Sequence, residues 1–191
     1  MSIRGDKTHE HILAVARRLF AESGFSEISI KDVAEACGIS RGGLYRHFSS
    51  TGEMFAEIIE NEQQRALKSL ADARADKIPA EKILKTFIKR RIKGATDKAQ
   101  CIDNAISEYA ANDPRGKELL IKRAEASVEI LTDMINACND ENALSRPDAA
   151  NIARHVIWTI EGMAKHNALI PLTEEEVSVQ TEIIFSILGK N

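Results

Sequence analysis

Between Ser40 and Phe48 the chain sets Arg41, Tyr45, Arg46 and His47 on one short stretch, with Gly42 and Gly43 among them. Donor side chains beside bare backbone suit the chemistry of gripping a nucleic acid. A guanidinium such as Arg41 neutralises a phosphate or bonds guanine O6 and N7 in bidentate fashion. Tyr45 and His47 donate to phosphate oxygens, and Ser29 and Ser40 can do the same from helix starts. Arg46 and Lys31 add local positive charge. Two successive glycines cost a helix about 1 kcal/mol each relative to alanine, and close approach of backbone to DNA is a reason to tolerate them. The plainer alternative is a capped surface helix with two unused glycines.

These residues need a scaffold, and the preceding residues describe one. Ser29 is placed to cap a first helix, with Asp32 three residues on as the acidic half of a capping box. Ile30, Val33 and Ala34 give that helix an apolar stripe. Gly38 closes it in a left-handed conformation, Ile39 fills the space behind, and Ser40 caps a second helix over 40–48. Leu44 and Phe48, four apart, point inward. This is the pattern of a helix-turn-helix, whose second helix enters the major groove by its N-terminal end. Upstream, Ile12, Val15, Ala16, Leu19 and Phe20 line one face of a supporting helix. Downstream, Ser50 and Glu53 read as a second capping box, whose free N–H groups suit a phosphate.

The run from Gly24 through Phe48 resembles the DNA-binding domain of the tetracycline-repressor-like (TetR) transcriptional regulators. The matching positions are Gly24-Phe25, Ser29, Asp32-Val33-Ala34, Gly38-Ile39-Ser40, Leu44-Tyr45 and His47-Phe48. The resemblance implies an all-α chain of about nine helices. A three-helix helix-turn-helix domain over residues 1–50 is followed by a larger ligand-binding and dimerisation domain over 51–191. It further implies a repressor that binds a palindromic operator as a homodimer and is released by a small molecule. The expected DNA-binding set is Ser29, Lys31, Ser40, Arg41, Gly42, Gly43, Tyr45, Arg46, His47 and Thr51. Two positions depart from the family pattern. Gly43 lacks a side chain that touches a base edge, and Thr51 replaces a lysine that meets phosphate, so some affinity and salt dependence are lost.

Overall charge agrees with a site-specific binder. The net charge of −3 argues against coating nucleic acid through bulk positive charge. Residues 1–50 carry seven Lys and Arg against six Asp and Glu, so the basic groups that matter are local. Arg17 and Arg18 break the first apolar stretch, which excludes a secretory leader there. No run reaches the roughly 18 apolar residues of a membrane span. Cys37, Cys101 and Cys138 are isolated and lack metal-ligand spacing, so a cytoplasmic protein without metal or cofactor is expected. Buried packing is the ordinary role of such thiols; a redox-sensing role falls to Cys101 if it borders a ligand cavity.

The remainder reads as helices near 51–74, 80 onward, 102–111, 115–138, 147–169 and 173–188. Pro79 and Asn112-Asp113-Pro114 mark breaks. The eighth helix is expected to bury Ile152, Val156, Ile160, Met163 and Ile170, with a second face of His155, Trp158, Thr159, Gly162 and His166. With Ile183, Ile184 and Ile187 of the ninth helix, this second face is the expected homodimer interface. An effector pocket is expected from Phe55, Ile59, Phe87, Arg91, Cys101, Ala105, Glu108, Tyr109, Leu131, Ile135 and Trp158. Ordinary core is the alternative for each apolar member. His155 and His166 stand three turns apart, too far to share a metal. No nucleophile–base constellation, HExxH run or phosphate loop is present, which favours a non-enzyme. The rival reading is an all-α small-molecule-binding or enzymatic protein with a vestigial helix-turn-helix.

Overall fold

The computed structural model describes residues 3–97, 101–141 and 148–189. These residues form nine helices and no strand: α1 (Ile3–Ser23), α2 (Ile30–Ala36), α3 (Arg41–Tyr45), α4 (Thr51–Ala75), α5 (Ala80–Thr96), α6 (Asp103–Asn112), α7 (Pro114–Asp140), α8 (Ala149–Leu169) and α9 (Glu174–Leu188). Pro147, expected to open α8, lies outside the described residues. The all-α expectation stands, with helix ends within a few residues of those read from the sequence. The third helix is the exception, because regular helix stops at Tyr45 and a single turn carries the chain on to Phe48.

The chain divides into two compact units, one of residues 1–65 with 102–120, the other of 66–101 with 121–191. The expected boundary at residue 50 falls inside the first of these units. The first turns of α4 and the whole of α6 belong with the helix-turn-helix, because their apolar faces complete its core. In that unit Ile12, Ala16, Phe20, Val33, Leu44 and Phe48 pack with Met54, Phe55, Ile58, Ile59, Ile102, Ala105, Ile106 and Tyr109. An aromatic cluster knits the far side of this core. Phe20 meets Phe55 edge-on at 4.9 Å, Phe55 meets Tyr109 at 5.4 Å, and Phe25 lies 4.8 Å from Tyr109. Each such pair adds about 0.5–1.5 kcal/mol beyond its buried area.

The second unit is built on α5, α8 and α9 with the C-terminal part of α7. Leu84, Ile88 and Ile92 of α5 pack with Leu131 and Ile135 of α7, Val156, Ile157 and Ile160 of α8, and Ile184 and Leu188 of α9. Ile170, expected in this core, is instead 62 % exposed, because α8 ends at Leu169 and the chain turns away. Thr173 and Glu176 form a capping box at the start of α9.

Among the described residues, one buried polar side chain interrupts this apolar packing. Asn167 is only 5 % exposed, donates to the Thr96 carbonyl at 2.9 Å and accepts from the Leu172 N–H at 2.9 Å. It thereby satisfies backbone groups at the end of α5 and in the α8–α9 connection. Leaving a buried group unpaired costs about 1–3 kcal/mol. Asn167→Leu should lower the thermal midpoint by several degrees, with Asn167→Asp intermediate because it keeps the bond from Leu172 N–H. Calorimetric melting of the three proteins checks the order.

Candidate nucleic-acid interface

The exposed side of α3 depends on what its other side buries. Leu44 is fully buried and Phe48 is 1 % exposed. With those two fixed, Arg41, Gly42, Tyr45 and Arg46 are left facing solvent. Tyr45 is 56 % exposed, a high value for a large aromatic side chain, and no partner within the chain claims its hydroxyl among the described residues. Lys31, Arg41 and Arg46 likewise make no ion pair among the described residues. His47 is half-buried, its ring 5.9 Å from that of His9.

The caps are built largely as the residue types imply. Ser29 Oγ accepts from the Asp32 N–H, and the Asp32 carboxylate takes the Ser29 N–H at 2.9 Å. The hydrogen bonds donated by the Ser29 hydroxyl and N–H hold the Asp32 carboxyl below its ordinary range. Ser29 also gives its hydroxyl proton to Asp32, whereas Ser40 keeps its own proton while accepting from the Gly43 N–H at 3.0 Å. Gly24 and Gly38 take the left-handed conformation, at φ of 82° and 67°. At α4 the pairing slips by one residue. Ser50 Oγ accepts from the Glu53 N–H at 3.1 Å, but the Glu53 carboxylate turns to the N–H of Ser49 at 2.6 Å and its hydroxyl at 2.7 Å. Those two bonds lower the Glu53 pKa. Thr51 is half-buried at the first position of that helix.

The two adjacent glycines separate into different cases. A Cβ on Gly43 would stand 3.3 Å from Ser40 Oγ, pressing on the cap that starts the helix. A Cβ on Gly42 would meet nothing within 4 Å. Packing against the Ser40 cap favours glycine at 43 and gives no reason for one at 42.

Residues 12–58 match the family profile described as "Bacterial regulatory proteins, tetR family". The HTH-type transcriptional regulator YfiR of Bacillus subtilis (strain 168) is 32% identical over 178 residues, covering 91% of this chain and 85% of that protein. The chain belongs to the TetR family. The HTH-type regulator UidR of Escherichia coli (strain K12) is 40% identical over 67 residues, 35% of this chain and 34% of that one. A putative transcriptional regulator from Saccharomonospora viridis, solved in complex with choline, shares the fold at a TM-score of 0.79 and 16% identity, over 96% of both chains. This TetR-family protein is therefore a DNA-binding transcriptional regulator, and α2–α3 is its helix-turn-helix.

Other candidate residues of this TetR-family chain lie where the sequence did not place them together. Phe55, Ile59, Ala105 and Tyr109 are core of the unit that carries the helix-turn-helix. Glu108, expected in a pocket, accepts from the Ser26 N–H at 2.8 Å, while Asn112 donates to Ser26 Oγ at 3.3 Å. The Glu108 carboxylate fills the space beside Gly24, where a Cβ would come within 2.6 Å of it. It is a clamp on the turn ahead of α2. In the second unit Leu131 and Ile135 are fully buried, Phe87 and Cys101 pack half-buried against the same core, and Arg91 is half-buried on α5. Trp158, expected in the pocket, is 63 % exposed. Its position on α8 puts it on the face with His155, Gly162 and His166, all exposed, and half-buried Thr159. On α9, Ile183 is 45 % exposed and Ile187 half-buried, whereas Ile184 is fully buried in the core of this unit. Burial raises the Cys138 thiol to about 11 and also raises Cys37, so both stay protonated at neutral pH.

His9 was not legible as a site residue. It stacks on Phe48 at 4.6 Å and shares a 2.6 Å hydrogen bond with Glu57, bringing α1 and α4 onto the end of the helix-turn-helix. Its partners lie 39 and 48 residues away, beyond any local pattern. Gly42→Ala follows from the open space at that glycine. It should raise stability by up to about 1 kcal/mol, since alanine is the better helix former, while weakening operator binding at least several-fold. Melting together with fluorescence anisotropy on operator DNA measures both.

Proposed function

We propose that this regulator is a repressor that binds a palindromic operator as a homodimer and leaves it when a small molecule binds. The observation that carries the dimer is the exposed apolar face of α8, α9 and their connection. Trp158 is 63 % exposed, Leu169 85 %, Ile170 62 %, Val179 46 % and Ile183 45 %. Large apolar side chains clustered at a surface mark a contact site. A two-fold axis through that face makes the contact self-complementary, with the same patch on each subunit. Two helix-turn-helix units related by that axis read half-sites one or more helical turns apart, which requires a palindromic operator.

On the DNA, Arg41 contacts a phosphate or a guanine edge, Tyr45 and Ser40 donate to phosphate oxygens, and Lys31 and Arg46 supply charge. His47 and Thr51 border this surface, and Gly42 allows the α3 backbone to approach the duplex. With few base-reading side chains, part of the specificity comes from half-site spacing and DNA shape. The effector acts by favouring an arrangement of the paired subunits that fits the operator poorly. A coupling of about 1–3 kcal/mol gives a roughly 5–150-fold response. Such a protein works in the cytoplasm beside its DNA and needs no catalytic group.

The test pairs two variants on DNA from the intergenic region upstream of the chain's own gene. Arg41→Ala with Tyr45→Ala should lose operator affinity about a hundredfold or more while sedimenting as a dimer, since two charged or polar contacts go at once. Trp158→Glu should sediment as a monomer with unchanged helix content and bind operator weakly. A wild-type chain that forms no salt-resistant specific complex, or one that is monomeric at micromolar concentration, would sink the reading.

A further inference from the structure

A cleft of about 380 Å³ opens in the second unit between the end of α4, the start of α5 and the C-terminal part of α7. Its walls are mainly apolar: Leu70, Ile78 and Ile83 are half-buried against it and Met134 is buried at its floor. Two cations, Arg74 and Lys77, line it as well. Among the described residues neither side chain has a hydrogen-bond or ion-pair partner. The one acid lining the cleft is already engaged. Glu141 accepts from the Ala80 N–H at 3.0 Å, so its charge serves the N-terminus of α5.

Lys77 adds a second, independent observation. Its φ is +56°, which makes it the sole non-glycine residue with positive φ among the described residues. It occupies the turn that ends α4, where the Ile78 N–H reaches back to the Ala73 carbonyl at 3.1 Å. Glycine is the residue that this turn ordinarily takes, because a Cβ is strained there. A lysine in that place sacrifices stability and sets an ammonium beside the apolar cleft. Strained backbone of this kind persists where a site needs the side chain.

We infer that this cleft binds an amphiphilic anion, namely an aliphatic monocarboxylate whose chain lies on Leu70, Ile78, Ile83 and Met134 and whose carboxylate pairs with Arg74 and Lys77. The inference deepens the effector reading above and rests on it for any consequence at the operator. At roughly 30 Å³ per non-hydrogen atom, the share a water takes in the liquid, the cleft holds about a dozen such atoms. That is the size of a ten-carbon carboxylate. Apolar walls supply the affinity and the two cations orient the head group.

Isothermal titration of the full-length protein with decanoate tests it, with decanol and decyltrimethylammonium as probes of the same tail. The expected result is one decanoate per chain, with both other amphiphiles bound at least tenfold more weakly. Arg74→Ala combined with Lys77→Gly should weaken decanoate at least tenfold. Lys77→Gly alone should raise the melting temperature, which separates lost binding from lost folding. No decanoate uptake, equal uptake of decanol, or unchanged affinity in the double variant would overturn the assignment. Operator anisotropy on ligand-free protein reports separately. Its failure refutes the repressor reading, whereas a silent titration beside intact operator binding refutes the cleft alone.

Discussion

Burial of Leu44 and Phe48 is the interaction on which the DNA-binding end depends. A helix of five residues has too few internal hydrogen bonds to persist alone, since nucleation is costly and each added residue returns little. Its position is set from outside. Two fully buried side chains contribute about 1.5–3 kcal/mol each, and the Ser40 cap holds the first turn. His9 and Glu57 then close over Phe48 from α1 and α4. Only because these contacts fix one side of α3 does Arg41, Tyr45 or Arg46 have a defined direction.

The same unit ties up several of its acids. Asp32 is held by Ser29, Glu53 by Ser49, Glu57 by His9, Glu62 by Arg17 and Glu108 by the Ser26 N–H. These carboxylates cap helices and tie α1 to α4 and α6 to the turn ahead of α2. Lys31, Arg41 and Arg46 have no such internal tie among the described residues, so their charge is available outside. A chain of net charge −3 thus presents a basic edge without a basic composition. Interactions at that edge fall off within about 8 Å at physiological salt, which suits contact with one site over attraction to bulk polymer.

The second unit solves a different problem. Its core is nearly all aliphatic, and Asn167 supplies a polar lock, pinning the α8–α9 connection to the end of α5. That lock fixes the course of the chain where Leu169 and Ile170 stand exposed beside the Trp158 face. Elsewhere the unit keeps Lys77 in a strained turn beside an open apolar cleft. Rigid interior packing with apolar surface left at defined places is what a protein with further binding partners requires.

The residues alone determined the family, the helix order and the caps, because these depend on local signals. Ser29, Asp32, Gly38, Ser40, Thr173 and Glu176 act within three or four residues of themselves, so spacing in the chain was sufficient. Helical periodicity likewise placed Leu44 and Phe48 inward and the Trp158 face together on α8. Tertiary structure decided what lay beyond that reach. It joined α6 to the helix-turn-helix unit, and it turned Glu108 from a pocket candidate into a clamp on a turn 82 residues away. It buried Ile184 in the core of the second unit and left Trp158 exposed. Each of these depends on which helix packs against which face. A 3.6-residue period shows that a face is apolar but carries no information about what covers it.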